Sequence, residues 1–212
     1  MTRQRPVPGL RTLRSLANAA AQTVFLLGAS LLAGAGVIAD DELVPRRYPA
    51  SVQSILEERC TVCHGCYDAP CQLKLDDWIG LERGASKDKV YDGTRLLTAK
   101  LTRLYEDALT TEQWRAKGFY PVIGSAEAGA GVLQQMLDLK AQHPLPRGQL
   151  PDSFDFSLGR DQMCPKPEEF AQYAGERPLQ GMPFGFPGLD EERLATLTDW
   201  LEAGAPGVAL PP

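Results

Sequence analysis

The chain of 212 residues has only two histidines, and aromatic side chains make up 8% of it. It has no excess of basic charge. Lys and Arg number 22 against 27 Asp and Glu, a formal net charge of −5, so there is no positive field to hold a phosphate backbone and nucleic acid is excluded as a partner. No alternating strand pattern of useful length occurs, and there is no internal repeat. Sparse aromatics beside 17 prolines and 20 glycines argue against a dense β architecture and for helices joined by long, kinked connections. A hydrophobic fraction of 43% with 23% charged residues excludes wholesale disorder and leaves a mainly α globular chain of one or two domains.

The longest apolar run, Val24 to Ile38, is about 15 residues, short of the roughly 20 that cross a bilayer. It follows Arg3, Arg5, Arg11 and Arg14 and precedes Asp40-Asp41-Glu42. A basic start, a short apolar stretch and small residues before a polar segment form a secretory signal pattern. Residues 1–39 are therefore expected to be a signal peptide, cleaved after Ala39, with an uncleaved membrane anchor as the alternative. Removal takes four basic and no acidic residues, leaving residues 40–212 with a formal charge of −9. The predicted location is the periplasm.

Four of the five cysteines fall in one stretch, Cys60, Cys63, Cys66 and Cys71; the fifth is Cys164. As four thiolates, C-x2-C-x2-C-x4-C comes close to an iron–sulfur or zinc pattern. Its last gap is one residue too long for the bacterial cluster run, and an exported chain meets an oxidising compartment. The stronger reading takes Cys60-x-x-Cys63-His64 as a c-type haem attachment site. Two thiols add to the haem vinyl groups, and the histidine that follows is held under the iron as proximal ligand. One covalent haem c is predicted, with Cys60 and Cys63 as attachment residues and His64 on iron.

Val52, Ile55 and Leu56 recur at helical spacing ahead of the motif, with Ser51 as the expected cap. Towards the other end, Asp190 opens a helix with Glu191 and Glu192 in its positive first turn, Leu194, Leu197 and Leu201 as its buried stripe, Trp200 beside them and Gly204 as the stop. Leu189 is placed to staple onto Leu194. The loop Gly181-Met182-Pro183-Phe184-Gly185-Phe186-Pro187-Gly188 gives a methionine little freedom, which makes Met182 the candidate sixth iron ligand; Met163 and His143 are the runners-up. These two ends resemble small class I cytochromes c. The expected fold is a cytochrome c-like haem domain over 40–212, with residues 84–175 as a long helical and Pro-rich insertion. That insertion should hold helices near Thr94 to Ala108 and Glu127 to Lys140 and a short capped one from Thr110 through Trp114. Residues 142–187 are expected as ordered loop.

The run RCTVCHGCYDAPCQLKL, residues 59–75, resembles the N-terminal region of bacterial fatty acid cis/trans isomerases. So do Arg83-Gly84-Ala85-Ser86-Lys87, Thr94-Arg95-Leu96-Leu97, Trp114 to Phe119, and Met136 to Lys140 with His143-Pro144. The resemblance implies a periplasmic c-type haem enzyme that converts cis double bonds of membrane phospholipid acyl chains to trans. Ferric iron would withdraw electron density, lower the bond order and permit rotation, with no net redox change. Carried over to this chain it gives Cys60, Cys63 and His64 their haem roles and no catalytic residue beyond the haem. Its partners would be unsaturated phospholipid or free fatty acyl chains, met by peripheral membrane contact. Family members run to several times this length, so the expected alternatives are an isomerase, or its haem domain lacking a C-terminal region. A functional alternative of another class is a single-haem electron-transfer cytochrome. Phe119, Phe154, Phe156, Phe184 and Phe186 could line an acyl groove, although core packing is the stronger expectation for each. With two cysteines on haem, three pairings of the others remain open; Cys66 with Cys71 is the preferred one.

Overall fold

The computed structural model describes residues 45–90, 100–152, 154–157, 159 and 163–210. The chain divides into two units, residues 1–42 and 43–212, and the expected signal segment lies outside the described residues.

Pro49 sets the start of α1 (Ala50–Arg59): its extended backbone points a carbonyl at the Gln53 N–H, 2.9 Å away. Proline pre-organises the entry, so the expected cap at Ser51 is not made, and Ser51 lies exposed inside the helix. Val52, Ile55 and Leu56 are buried as the spacing predicts. One turn of helix follows, α2 (Thr61–His64), then a 3-10 turn at Pro70–Gln72 and α3 (Trp78–Arg83), capped by the Asp77 carboxylate on the Ile79 N–H.

Residues 91–99 lie outside the described residues, so the expected helix from Thr94 is seen only in its second half, and residues 100–108 are not helical. Leu101 and Tyr105 face solvent instead of forming a stripe. The Asp107 carboxylate accepts from the Arg103 N–H and from its guanidinium at 3.0–3.1 Å. This local side-chain turn takes the backbone donors that a helix would use. The capping box at Thr110 and Gln113 forms as read and opens α4 (Thr111–Ala116).

Helix α5 (Val132–Gln142) begins later than expected because Gly124 and Gly131 lie back to back. A Cβ on Gly131 would fall 2.3 Å from the Val122 carbonyl and 2.4 Å from the Gly124 nitrogen. Residues 142–187 are not all loop: Pro167–Glu169 is a 3-10 turn leading into α6 (Phe170–Glu176), and a second turn spans Pro178–Gln180. The last helix, α7 (Glu191–Glu202), is capped by Asp190, whose carboxylate accepts from the Arg193 N–H at 2.9 Å, and buries Leu197, Trp200 and Leu201. Leu189 and Leu194 both pack on the core it covers. The turn after it is fixed by two indoles: Trp78 Nε1 donates to Ala205 O at 2.9 Å and Trp200 Nε1 to Pro206 O at 3.1 Å. Two-residue strands β1 (Arg46–Arg47) and β2 (Val208–Ala209) pair antiparallel, Arg46 opposite Ala209.

The main core lies where α1, α3, α5 and α7 meet, on Tyr48, Leu56, Leu75, Leu81, Leu137 and Trp200. A smaller one, Met136, Leu139 and Tyr173, joins α5 to α6. Arg83 is 1% exposed. It donates to Thr102 O at 2.8 Å and, by a shorter bond, to Gln72 O, with its guanidinium carbon 4.8 Å from the Phe119 ring centre and 5.3 Å from that of Trp114.

Candidate haem pocket

Helix α1 carries Cys60 at its C-terminal end, and the single turn of α2 rotates His64 inward while leaving Cys63 exposed. The Cys60 carbonyl accepts from the Cys63 and His64 N–H groups at 3.1 and 2.9 Å, which makes the motif one rigid step. Gly65 allows the chain to leave it, since a Cβ there would lie 2.7 Å from the Thr61 carbonyl. His64 is 8% exposed, and its Nδ1 lies 2.9 Å from the Leu73 carbonyl oxygen. A carbonyl only accepts, so the proton belongs on Nδ1 and the Nε2 lone pair is left free. Burial pushes the His64 pKa down, against the bond to Leu73, which keeps the ring neutral and able to ligate. Burial also raises the Cys60 thiol to about 11, opposed by the Arg59 charge.

Cys60, Cys63 and His64 line one pocket together with Met163, Met182 and Trp200. The space inside it that a water-sized sphere can reach is about 150 Å³, smaller than most sites for small molecules and cofactors, roughly 300–1,000 Å³. Leu56, Leu73, Val122, Met136, Leu137, Leu197 and Leu201 complete walls that are almost wholly apolar. Cys60, Cys63 and His64 border this cavity and are not gathered as a chelate: among the described residues no three His, Cys, Asp or Glu side chains are. In donor chemistry, though not in open volume, thiols beside apolar walls with a neutral, oriented imidazole suit a hydrophobic macrocycle anchored through sulfur.

Met182, the candidate sixth ligand, lies in the lining of the same pocket, and so does Met163. The Met182 N–H donates to Met136 O on α5 at 2.9 Å. Gly181 presses so closely on that helix that a Cβ would lie 2.4 Å from the Lys140 nitrogen. His143 does not join them; it caps the end of α5, exposed and outside the pocket lining.

The cysteine pairing differs from the one preferred on spacing. Cys71 is bonded to Cys164, with 5.7 Å between their Cα atoms, and Cys66 is free and exposed. Spacing along the chain says nothing of a partner 93 residues away. The 3-10 turn at Pro70 places Cys71 in the core, where both cysteines form part of the pocket wall. That pairing also removes Cys71 from any four-thiolate cluster.

Phe119 and Phe154 pack in the interior as expected. Phe184 and Phe186 instead line the pocket, Phe186 being 54% exposed at its mouth. Phe156 is exposed too, its ring centre 4.8 Å from Phe154 and 5.9 Å from Phe184. Two features had no sequence signal: the Leu73 carbonyl that orients His64, and the position of Arg59 on the pocket wall.

Among the described residues no helix is long and apolar enough to cross a membrane. No curated protein and no solved structure matches the chain. The profile of one family does match, over residues 99–211, taking in α4 to α7 and the pocket wall from Val122 to Leu201. It is described as fatty acid cis/trans isomerase, and since it covers more than half of the chain, the protein belongs to the fatty acid cis/trans isomerase family, enzymes whose substrates are fatty acids or lipids.

Proposed function

We propose that this isomerase works with one covalent haem c, held in the apolar pocket by thioether bonds to Cys60 and Cys63 and by His64 on iron, in a cytochrome c-like domain exported to the periplasm. One observation carries the reading: both cysteines, the histidine and a thioether at Met182 line the same cavity, and the imidazole is already fixed in the ligating tautomer by Leu73. When bound, the haem supplies an iron centre able to draw electron density from a carbon–carbon double bond, whose rotation is otherwise too slow to be useful. The chain's own residues do the rest. The Leu73 carbonyl retains the Nδ1 proton and directs the Nε2 lone pair. The leucine, valine and Trp200 walls exclude water, so a developing charge is not quenched by solvent. Gly181 and the Met182 to Met136 bond hold the thioether loop against α5. Exposed apolar side chains at the mouth suit peripheral contact with a membrane that presents the acyl chains.

The test is the trans/cis fatty acid ratio, measured by gas chromatography in isomerase-deficient cells that export this chain alongside the haem-attachment machinery. Covalent haem is followed on a denaturing gel. The wild-type chain should carry haem and raise the ratio, and Cys63→Ala should do neither. A wild-type chain without covalent haem, or Cys63→Ala at wild-type haem and activity, would end the proposal. Haem with an unchanged ratio would favour the electron-transfer reading, to which Met182 facing the His64 pocket is also suited.

A further inference from the structure

The mouth of the pocket carries one cation that the haem reading does not use. Arg59 ends α1, immediately before Cys60, and lines the cavity half-buried. Its Nη2 donates to Pro187 O at 2.7 Å and Gly188 O at 3.4 Å, which ties α1 to the loop that carries Phe186. Among the described residues Arg59 makes no ion pair, whereas the neighbouring Glu58 is engaged by Arg193 at 2.8 Å. Carbonyls share a guanidinium's protons without neutralising its charge. Beside it stand Val62, 74% exposed, and Phe186, so a cation and an apolar lip meet at the opening of a greasy cavity. In a chain of net charge −5, an uncompensated guanidinium at that place suits a ligand with an anionic head and a long apolar tail.

We propose that Arg59 is the specificity-determining residue for the anionic head of the substrate. In this reading the acyl chain crosses Val62 and Phe186 towards the pocket, while a carboxylate or phosphodiester at its end rests on the guanidinium. The head chemistry common to both sources is a planar or tetrahedral oxyanion, which the guanidinium fork receives through two N–H donors. The inference rests on the lipid substrate class and on the pocket being the site. It does not require the haem to be the reacting group. Arg59 acts on binding, so its loss raises KM for anionic substrates more than for their neutral esters.

The experiment is calorimetric titration of the exported, full-length protein as isolated, with oleate, with methyl oleate, and with dioleoyl-phosphatidylglycerol vesicles. Wild type, Arg59→Gln and Arg59→Lys are compared, with haem content recorded for each. Removing one charge-assisted contact at a half-exposed rim should weaken oleate binding about tenfold. Methyl oleate should bind the wild type and Arg59→Gln alike, and Arg59→Lys should recover most of the lost affinity. A parallel loss with the vesicles marks a phospholipid head as a second source of the anion; a loss with oleate alone assigns the site to free fatty acids. Equal oleate binding by wild type and Arg59→Gln overturns the proposal. So does an equal loss for acid and ester. A change confined to haem content or haem absorption would also overturn it, by assigning the guanidinium to the cofactor's carboxylates. Because binding is read without turnover, a protein that lacks haem or activity refutes the proposed function while leaving the Arg59 result legible.

Discussion

Removing the Cys71–Cys164 bond tests the pocket wall and the chain topology at once. The perturbation is the double substitution Cys71→Ala/Cys164→Ala, compared with Cys66→Ala. A cross-link closing a loop of 93 residues removes about 15.6 cal/mol/K of entropy from the unfolded chain, or about 4.6 kcal/mol at 25 °C. The competing Cys66 to Cys71 bond would close a loop of about five residues and contribute only about 2 kcal/mol by the same relation. The two pairings therefore differ by more than the usual error of a denaturant midpoint. Urea unfolding followed by far-ultraviolet circular dichroism should show the double variant less stable by about 3–5 kcal/mol, with Cys66→Ala within about 0.5 kcal/mol of wild type. Peptide mapping without reductant should recover Cys71 with Cys164. A loss under about 2 kcal/mol, or an equal loss in Cys66→Ala, would refute the reasoning. A functional effect should follow. The Cys71 carbonyl accepts from the Ser86 N–H at 2.7 Å, and two residues on lies the Leu73 carbonyl that orients His64.

Three further outcomes are expected. Lys140 is 1% exposed, has among the described residues a single 3.4 Å bond, to Leu179 O, and burial lowers its pKa to about 8. Between pH 8 and pH 10.5 the unfolded chain then binds more protons than the folded one, so stability rises with pH across that window. Lys140→Met should be more stable than wild type by about 1–3 kcal/mol at pH 7, with the gap shrinking towards pH 10.5 in melts at a series of pH values; a constant gap would contradict this. Arg83→Met should lower stability by about 2–3 kcal/mol through the donors lost to Gln72 O and Thr102 O and the lost ring contacts, and an unchanged urea midpoint would show that the clamp does nothing. Asp190→Ala should cost about 1 kcal/mol through the cap of α7, which thermal unfolding would register.

What was legible in the sequence is what local chemistry decides. Asp190 and Thr110 cap their helices as read because a side chain three residues from an orphan N–H acts within one turn. The buried stripes of α1 and α7 follow from spacing alone. Cys60, Cys63 and His64, the residues proposed to hold haem, could be singled out because attachment chemistry itself demands adjacency. Failures came where a distant or competing partner decides. The segment after Thr94 has a helical pattern, yet residues 100–108 turn on Asp107, which offers its carboxylate to the Arg103 backbone. The start of α5 is displaced by the contact of two glycines with backbone on the other side of a loop. Cys164 reaches Cys71 only through the fold, and nothing in the composition of Phe184-Gly185-Phe186 distinguishes a pocket lip from a core.

The walls of the pocket come from opposite ends of the chain: Cys60, Cys63 and His64 from one side, Met182, Leu197 and Trp200 from the other. The bonds that join these two parts of the chain span 128 residues from Arg59 to Pro187 and 127 from Trp78 to Ala205. Contacts of such separation form late, because the chain between them must first be gathered in. During synthesis α1 and α2 therefore emerge with the cysteine motif laid open, and no cavity exists until α7 arrives. A prosthetic group joined to that motif early would meet an open ribbon and then be wrapped by the returning end of the chain. One arriving late would have to enter between Val62 and Phe186. The order of assembly thus decides whether the mouth of this cavity is ever used as a way in for anything larger than a single acyl chain.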